Sequence, residues 1–315
     1  MNVVFIGASC FGLKCLKIAQ RICDCQIVGA VTVPQTFPIS YSPQGVKNVL
    51  YADVFKYCQE SNIPCVVMKD NMKEEGLFEK VSSWGPEIFL VAGWYHMVPS
   101  FWRTFAPAYG LHASLLPDYS GGAPLVWAII NGEKKTGITL FQFADGVDNG
   151  PIVGQRETYI LKSDTIATLY TRIESLGLNL IMEYLPKIAK GTATFIKQNE
   201  EKRRVFPQRS PKDGRIDWAK NSFEIYNFIR AQTKPYPGAF TFLHGEKLLI
   251  WESKRVVSCQ GGHGMIGEVI GDPYRFIVQT GGGLLEILSL TYEGNELSGF
   301  QLMKRLSDSS IVLGM

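Results

Sequence analysis

The stretch EIFLVAG, residues 87 to 93, reads as a strand that is apolar on both faces, and such a strand needs cover on both sides. A parallel sheet with helices above and below supplies it, and the surrounding sequence has the matching alternation. NVVFIG opens as a β-run closed by Gly7, and Phe11 to Ile22 has helical spacing. CQIVGAVTV (25 to 33) is a second strand, YADVFKYCQE (51 to 60) a helix, PCVVM (64 to 68) a third strand, and Lys73 to Ser82 a helix. YGLHAS (109 to 114), TGITLFQF (136 to 143) and PIVGQRETYI (151 to 160) add β-runs. Asp164 to Lys190 is a long helix, capped by Ser163 or Asp164 and stopped by Gly191. Residues 1–192 are therefore expected to form a Rossmann-like α/β domain. GASCFG, with glycines at 7 and 12, matches neither a dinucleotide fingerprint nor a phosphate loop and reads as a tight turn.

The pattern breaks at residues 193–217, a polar, proline-bearing stretch that reads as a linker. After a helix from Ser222 to Thr233, short β-runs alternate with glycine turns: GAFTFL, KLLIWES, GMIGEVI, RFIVQT and LLEILSL. Residues 218–315 are expected to form a small OB-like β-barrel. With 315 residues the chain can bury two cores.

Net charge is only +3, with basic residues dispersed except for Lys202, Arg203 and Arg204, which disfavours a nucleic-acid partner. The seven cysteines (10, 15, 23, 25, 58, 65, 259) lack zinc or redox spacing, so no metal is expected and buried free thiols are. No apolar run reaches a membrane span, and a cytoplasmic protein is the expectation.

Chemistry concentrates at His112, at the end of the run YGLHAS, where central strands of open α/β sheets present reactive groups. Asp148 lies in the turn FADGVDNGP after the strand 136–143 and can reach it. A carboxylate beside an imidazole favours its protonated form, and the pair can move protons without a serine or cysteine nucleophile. Transfer of a one-carbon acyl group to an amine fits such a pair. His244 and His263 lie in barrel turns with no sign of a role, and Trp102 and Trp127 read as core.

The segments LHASLLPDYSGGAP, WAIINGEKKTGITLFQFADGVDNGPIVGQ and DWAKNSFEIYNFIRAQTKPYPGAFTFLHGEKLLIWES resemble the 10-formyltetrahydrofolate-dependent formyltransferases over residues 1 to 305. The resemblance implies that His112 is the catalytic histidine and Asp148 its partner carboxylate. It places Gly110 where the family carries an asparagine. It implies that the backbone of His96, Met97 and Val98 holds the pterin ring of 10-formyltetrahydrofolate, and that Ala144, Asp145, Gly146 and Val147 close over it. The lost asparagine removes an oxyanion donor, and Gly110→Asn is expected to change the rate while leaving the fold intact.

Two acceptor amines fit the resemblance. Members that act on methionyl-tRNA carry a basic insertion after the second strand, whereas PQTFPISYSPQGVKN (34 to 48) has a single charged residue, Lys47. FPQRSPKDGRIDW (206 to 218) is similar to the segment of the enzyme that formylates uridine-diphosphate-linked 4-amino-4-deoxyarabinose. On that likeness Gln208 and Arg209 meet a pyrophosphate, and KPYPGAF (234 to 240) places Tyr236 where an aromatic can stack on a base or sugar. The favoured reading is formylation of a nucleotide-linked 4-amino sugar for bacterial surface polysaccharide. A methionyl-tRNA enzyme and a folate-binding or hydrolytic relative impaired at Gly110 are the alternatives. Barrel edges can support a homodimer.

Overall fold

A computed structural model of the chain describes residues 1–39, 42–256, 264–270, 274–306 and 311–314. The strands are β1 (Asn2–Ile6), β2 (Gln26–Thr32), β3 (Thr36–Ile39), β4 (Ser42–Lys47), β5 (Cys65–Val67), β6 (Ile88–Val91), β7 (Ala108–His112), β8 (Ser120–Gly121), β9 (Lys135–Gln142), β10 (Ile152–Tyr159), β11 (Val205–Phe206), β12 (Ala239–Leu243), β13 (Glu246–Val256), β14 (Val269–Ile270), β15 (Phe276–Gln279), β16 (Leu284–Tyr292) and β17 (Asn295–Ser298). The helices are α1 (Cys10–Ala19), α2 (Val54–Glu60), α3 (Leu77–Ser82), α4 (Ser100–Phe105), α5 (Pro124–Ile130), α6 (Ile166–Ala189), α7 (Ser222–Arg230) and α8 (Gly299–Arg305). Among the described residues no helix is long and apolar enough to cross a membrane.

Packing divides the chain into two units that interleave along the sequence: Met1–Gly121, Thr136–Thr158 and Thr171–Phe206 in one, Gly122–Lys135, Tyr159–Tyr170 and Pro207–Met315 in the other. The first unit is built on a seven-stranded sheet ordered β10-β9-β7-β6-β1-β2-β5. Its central strands pair in parallel, as the apolar runs require, and β9 turns antiparallel to β7. Val4, Ile6, Val31 and Phe89 are essentially fully buried, and Trp102 joins them with its indole N–H on Met72 O at 3.2 Å. Each such side chain contributes about 1.5–3 kcal/mol by leaving water.

The GASCFG turn has a packing reason for its glycines. A Cβ on Gly7 or Gly12 would stand 2.2 or 2.4 Å from Ala92 O, so the β1–α1 corner sits directly on the end of β6. Ser9 caps α1 by accepting from Gly12 N at 3.0 Å. Segment 34–48 forms the β3–β4 hairpin, with Phe37 and Ile39 buried.

The second unit carries an antiparallel curled sheet ordered β12-β13-β16-β15-β14, with β17 beside β16. α7 starts in a capping box between Asn221 and Glu224, and Ile225 and Ile229 join the core of Leu248, Ile250, Phe276 and Leu290. The thiols depart from expectation. Cys15 and Cys58 are buried, but Cys10 and Cys23 are exposed and Cys25 and Cys65 are partly so; all six are free. Helix ends and turns, where Cys10 and Cys23 sit, leave a side chain open even when the neighbouring element is core. Cys259 and His263 lie outside the described residues.

Candidate active site

His112 ends β7, and the ladders on both sides fix its position: Val91 of β6 pairs with Gly110, and Thr139 of β9 opposes His112. Beyond it, SLLP is tied down by the fully buried Thr139. That hydroxyl donates to Ser114 O at 2.7 Å and accepts from Gln155 Nε2 at 2.8 Å and Leu116 N at 3.3 Å.

The chain then passes through Tyr119, whose φ of +55° is left-handed, and brings its carbonyl to 2.7 Å from His112 Nε2. A carbonyl only accepts, so Nε2 donates there. On the other side Nδ1 lies 3.5 Å from Asp148 Oδ2, and the same oxygen accepts from Gly121 N at 2.8 Å. Both ring nitrogens thus face oxygen atoms of the protein. The His112 side chain is 11% exposed and that of Asp148 22%, so the carboxylate forms the more open side of the pair.

Asp148 is itself left-handed, with φ of +51°. Both residues that touch the imidazole thus hold a backbone state costing about 1–3 kcal/mol each, and surrounding contacts must impose it. In the same loop Asp145 is exposed and pairs with Arg103 at 2.7 Å, while Ala144 and Gly146 are partly buried and Val147 is exposed.

The segment after β6 packs as an aromatic cluster. His96 lies 5.5 Å from the Phe37 ring and 5.4 Å from Trp94. Tyr95 donates to Asn48 Oδ1 at 2.9 Å, and the buried Asn48 donates to Ala8 O at 3.0 Å. Burial holds the His96 imidazole below its ordinary value, with Asp70 opposing. The ring nitrogens Trp94 Nε1 and His96 Nε2 are buried without a partner among the described residues, next to the buried Val98 and the exposed Met97. Buried ring nitrogens of this kind leave hydrogen-bonding capacity open beside flat rings.

Gly110 has a close neighbour. A Cβ there would meet the Phe143 ring at 2.3 and 2.5 Å and Val91 O at 3.2 Å, so any side chain at 110 must displace Phe143. Gly110→Asn therefore cannot leave its surroundings untouched: an aromatic ring occupies the space.

In the second unit Gln208 is exposed, and Arg209 has protein partners: its guanidinium lies 4.7 Å from the Trp127 ring and donates to Asp213 O and Gln232 Oε1, each at 2.7 Å. Trp127 is a partly exposed platform for Arg209 and not a core residue. Tyr236 is half-buried, and burial pushes its phenol up to about 12.

The sequence reading missed Tyr119, whose carbonyl contacts the His112 ring, and the residues that hold the two loops. Gln198 Nε2 donates to Asp148 O at 2.8 Å and Gly150 O at 2.7 Å, and Arg203 donates to Val147 O. Arg204 grips Asp118 through two bonds of 2.7 and 2.6 Å and lies 4.8 Å from the Tyr119 ring, on which Phe206 stacks. Arg203 and Arg204 are thus occupied within the protein. Among the described residues no cluster of His, Cys, Asp and Glu could hold a metal ion.

Residues 1–185 match the family model described as formyl transferase, and residues 209–306 match the formyl transferase C-terminal domain. The chain is 32% identical over 310 residues to a methionyl-tRNA formyltransferase of Caldanaerobacter subterraneus subsp. tengcongensis, covering 96% of this chain and 95% of the relative. It is 33% identical over 260 residues to one of Bacillus velezensis, covering 82% and 79%. A crystal structure of the N-formyltransferase from Helicobacter canadensis in complex with folinic acid and dTDP-3-aminofucose has a TM-score of 0.65 at 20% identity, over 90% of this chain and 98% of that one. Sequence matches that span both domains, joined to a like fold, establish that the chain belongs to the formyl transferase family.

Proposed function

We propose that this formyltransferase moves the formyl group of 10-formyltetrahydrofolate to a primary amine, with His112 as the proton-transfer group and Asp148 as its charge partner. The observation that supports this most is the 3.5 Å approach of His112 Nδ1 to an Asp148 oxygen that Gly121 N–H also holds. The backbone of His96, Met97 and Val98 and the loop Ala144, Asp145, Gly146 and Val147 are the proposed walls for the folate. When bound, the folate supplies an electrophilic formyl carbon. The acceptor nitrogen bonds to that carbon and must shed a proton, which the His112–Asp148 pair relays to the departing folate nitrogen as its bond to carbon breaks. Gly110 offers no side-chain donor to the developing oxyanion, and Phe143 fills the space such a side chain would take. His112 is the side chain we assign to that role.

For the acceptor, methionyl-tRNA is the reading we advance. Its support is that the two relatives described above, at 32% and 33% identity, are methionyl-tRNA formyltransferases, one matched along nearly the whole chain. A specific observation favours a nucleotide-linked amino sugar as the second reading: segment 34–48 has Lys47 as its only charge, a poor match to a polyanion. Under that reading Gln208, Arg209 and Tyr236 are the proposed contacts for the nucleotide-sugar. A cytoplasmic setting goes with either acceptor in this proposal, and the six free thiols among the described residues suit it.

The test is incubation with 10-formyltetrahydrofolate and either initiator methionyl-tRNA or uridine- and thymidine-diphosphate-linked amino sugars. Formylated methionyl-tRNA is the expected product. Product on the sugars alone transfers the assignment to the second reading, and formate release with neither acceptor marks a hydrolase.

A further inference from the structure

We propose that residues 196–206 are a brace that sets the His112–Asp148 geometry, with Gln198 as the positioning residue for Asp148; this rests on the reading of that pair as the proton relay. Leaving α6, the chain runs back beneath the two loops and touches them in order. Ile196 exchanges two backbone hydrogen bonds of 2.8 Å with Ile152, which brings Gln198 under the Asp148 turn. Gln198, only 5% exposed, then spans the turn from Asp148 O to Gly150 O with a single amide nitrogen. Two carbonyls leave that amide one workable orientation, because its oxygen in the same place would face two acceptors.

Arg203 takes the next carbonyl, Val147 O, while its Nη1 pairs with Glu200 at 3.2 Å. Arg204 and Phe206 then engage the other loop. Ser120 N donates to Arg204 O at 3.0 Å, and β11 lies in parallel register on β8, with Phe206 opposite Gly121. Gly121 is the residue whose N–H holds the Asp148 carboxylate. The same eleven residues therefore hold the backbone of Asp148, the donor to its carboxylate and the strand that follows Tyr119 O. Left-handed backbone at Tyr119 and Asp148 gives such a brace its task, since neither residue would adopt that state unaided.

The experiment compares Gln198→Met, Gln198→Glu and Asp148→Asn in the full chain, with 10-formyltetrahydrofolate as donor and methionyl-tRNA as acceptor, or the amino sugar nucleotide if the parent enzyme formylates only that. Methionine keeps the length and removes both donors. Its kcat is expected to fall about tenfold with KM for the folate within about twofold, as for a misplaced catalytic group. Gln198→Glu, which sets a carboxylate against two carbonyls, is expected to lose more. Gln198→Met added to Asp148→Asn is expected to cost nothing further, because both act through one group. Parental kcat in folded Gln198→Met, or full additivity with Asp148→Asn, overturns the brace. Parental kcat in Asp148→Asn overturns the relay itself. If Gln198→Met does not fold, Arg203→Met carries the test, with about a threefold loss in kcat expected and an unchanged kcat overturning the proposal.

Discussion

His112 and Asp148 face each other across 3.5 Å, yet unlike means hold them there. His112 sits in a ladder, with β6 and β9 on either side of β7 and a buried threonine behind the following turn. Asp148 sits in a left-handed loop held by side chains that arrive from fifty residues downstream. The ladder is shared with the core of the sheet, so damage there should cost stability first. The loop carries little of the core, so damage there should cost rate first. One pair thus joins a rigid partner to an adjustable one.

The largest expected effect strikes both halves alike. His112→Ala and Asp148→Asn should each lower kcat by roughly 10²- to 10⁴-fold with little change in thermal midpoint, checked by steady-state kinetics and calorimetry on the same samples. Full activity in His112→Ala would remove the chemical basis of the comparison. On the ladder side, Thr139→Val strips partners from Ser114 O and Leu116 N and should destabilise by about 1–3 kcal/mol in urea unfolding. Gly110→Asn should cost a similar amount, about 1–3 kcal/mol, by forcing Phe143 aside, and Gly110→Asn with Phe143→Val should regain most of it. If Gly110→Asn alone is as stable as the parent, the ring gives way freely and the β7 side is softer than stated.

On the loop side, Arg204→Ala removes the grip on Asp118 and the stacking on Tyr119 from a half-exposed position. Stability should change by less than about 1 kcal/mol, while kcat falls measurably. The smallest effect concerns pH. His96 holds its proton less tightly when folded than when unfolded, so the unfolded chain takes up a proton first as pH falls through about 6.5. Stability should decline through that range and level off below the folded value, and His96→Gln should flatten that part of a urea-midpoint profile.

The two halves were also unequally legible. Strands such as EIFLVAG announce themselves because a fully covered strand must be apolar throughout, and His112 follows from its place at a strand end. Asp148 was visible as a turn residue at a workable distance. Gln198, Arg203 and Arg204 were not, since a side chain that bonds a distant carbonyl or carboxylate leaves no period in the sequence, and their polar surroundings read as a linker. The β3–β4 hairpin was hidden by Pro38, Pro43 and Gly45, which signal turns although Phe37 and Ile39 are core. The collision of Phe143 with any side chain at 110 needed the register of β7 against β9.

The two-residue pairing of β8 with β11 also limits how members of this family can exchange parts. A cut at residue 185, where the first family match ends, would keep His112, Asp148 and the Gly121 N–H together but discard the contacts that Gln198, Arg203 and Phe206 make to their loops. A hybrid that borrows another member's C-terminal half would keep these contacts only if its seam falls after Phe206. The end of the first family match and the end of the contacts that hold the two loops therefore fall at different residues.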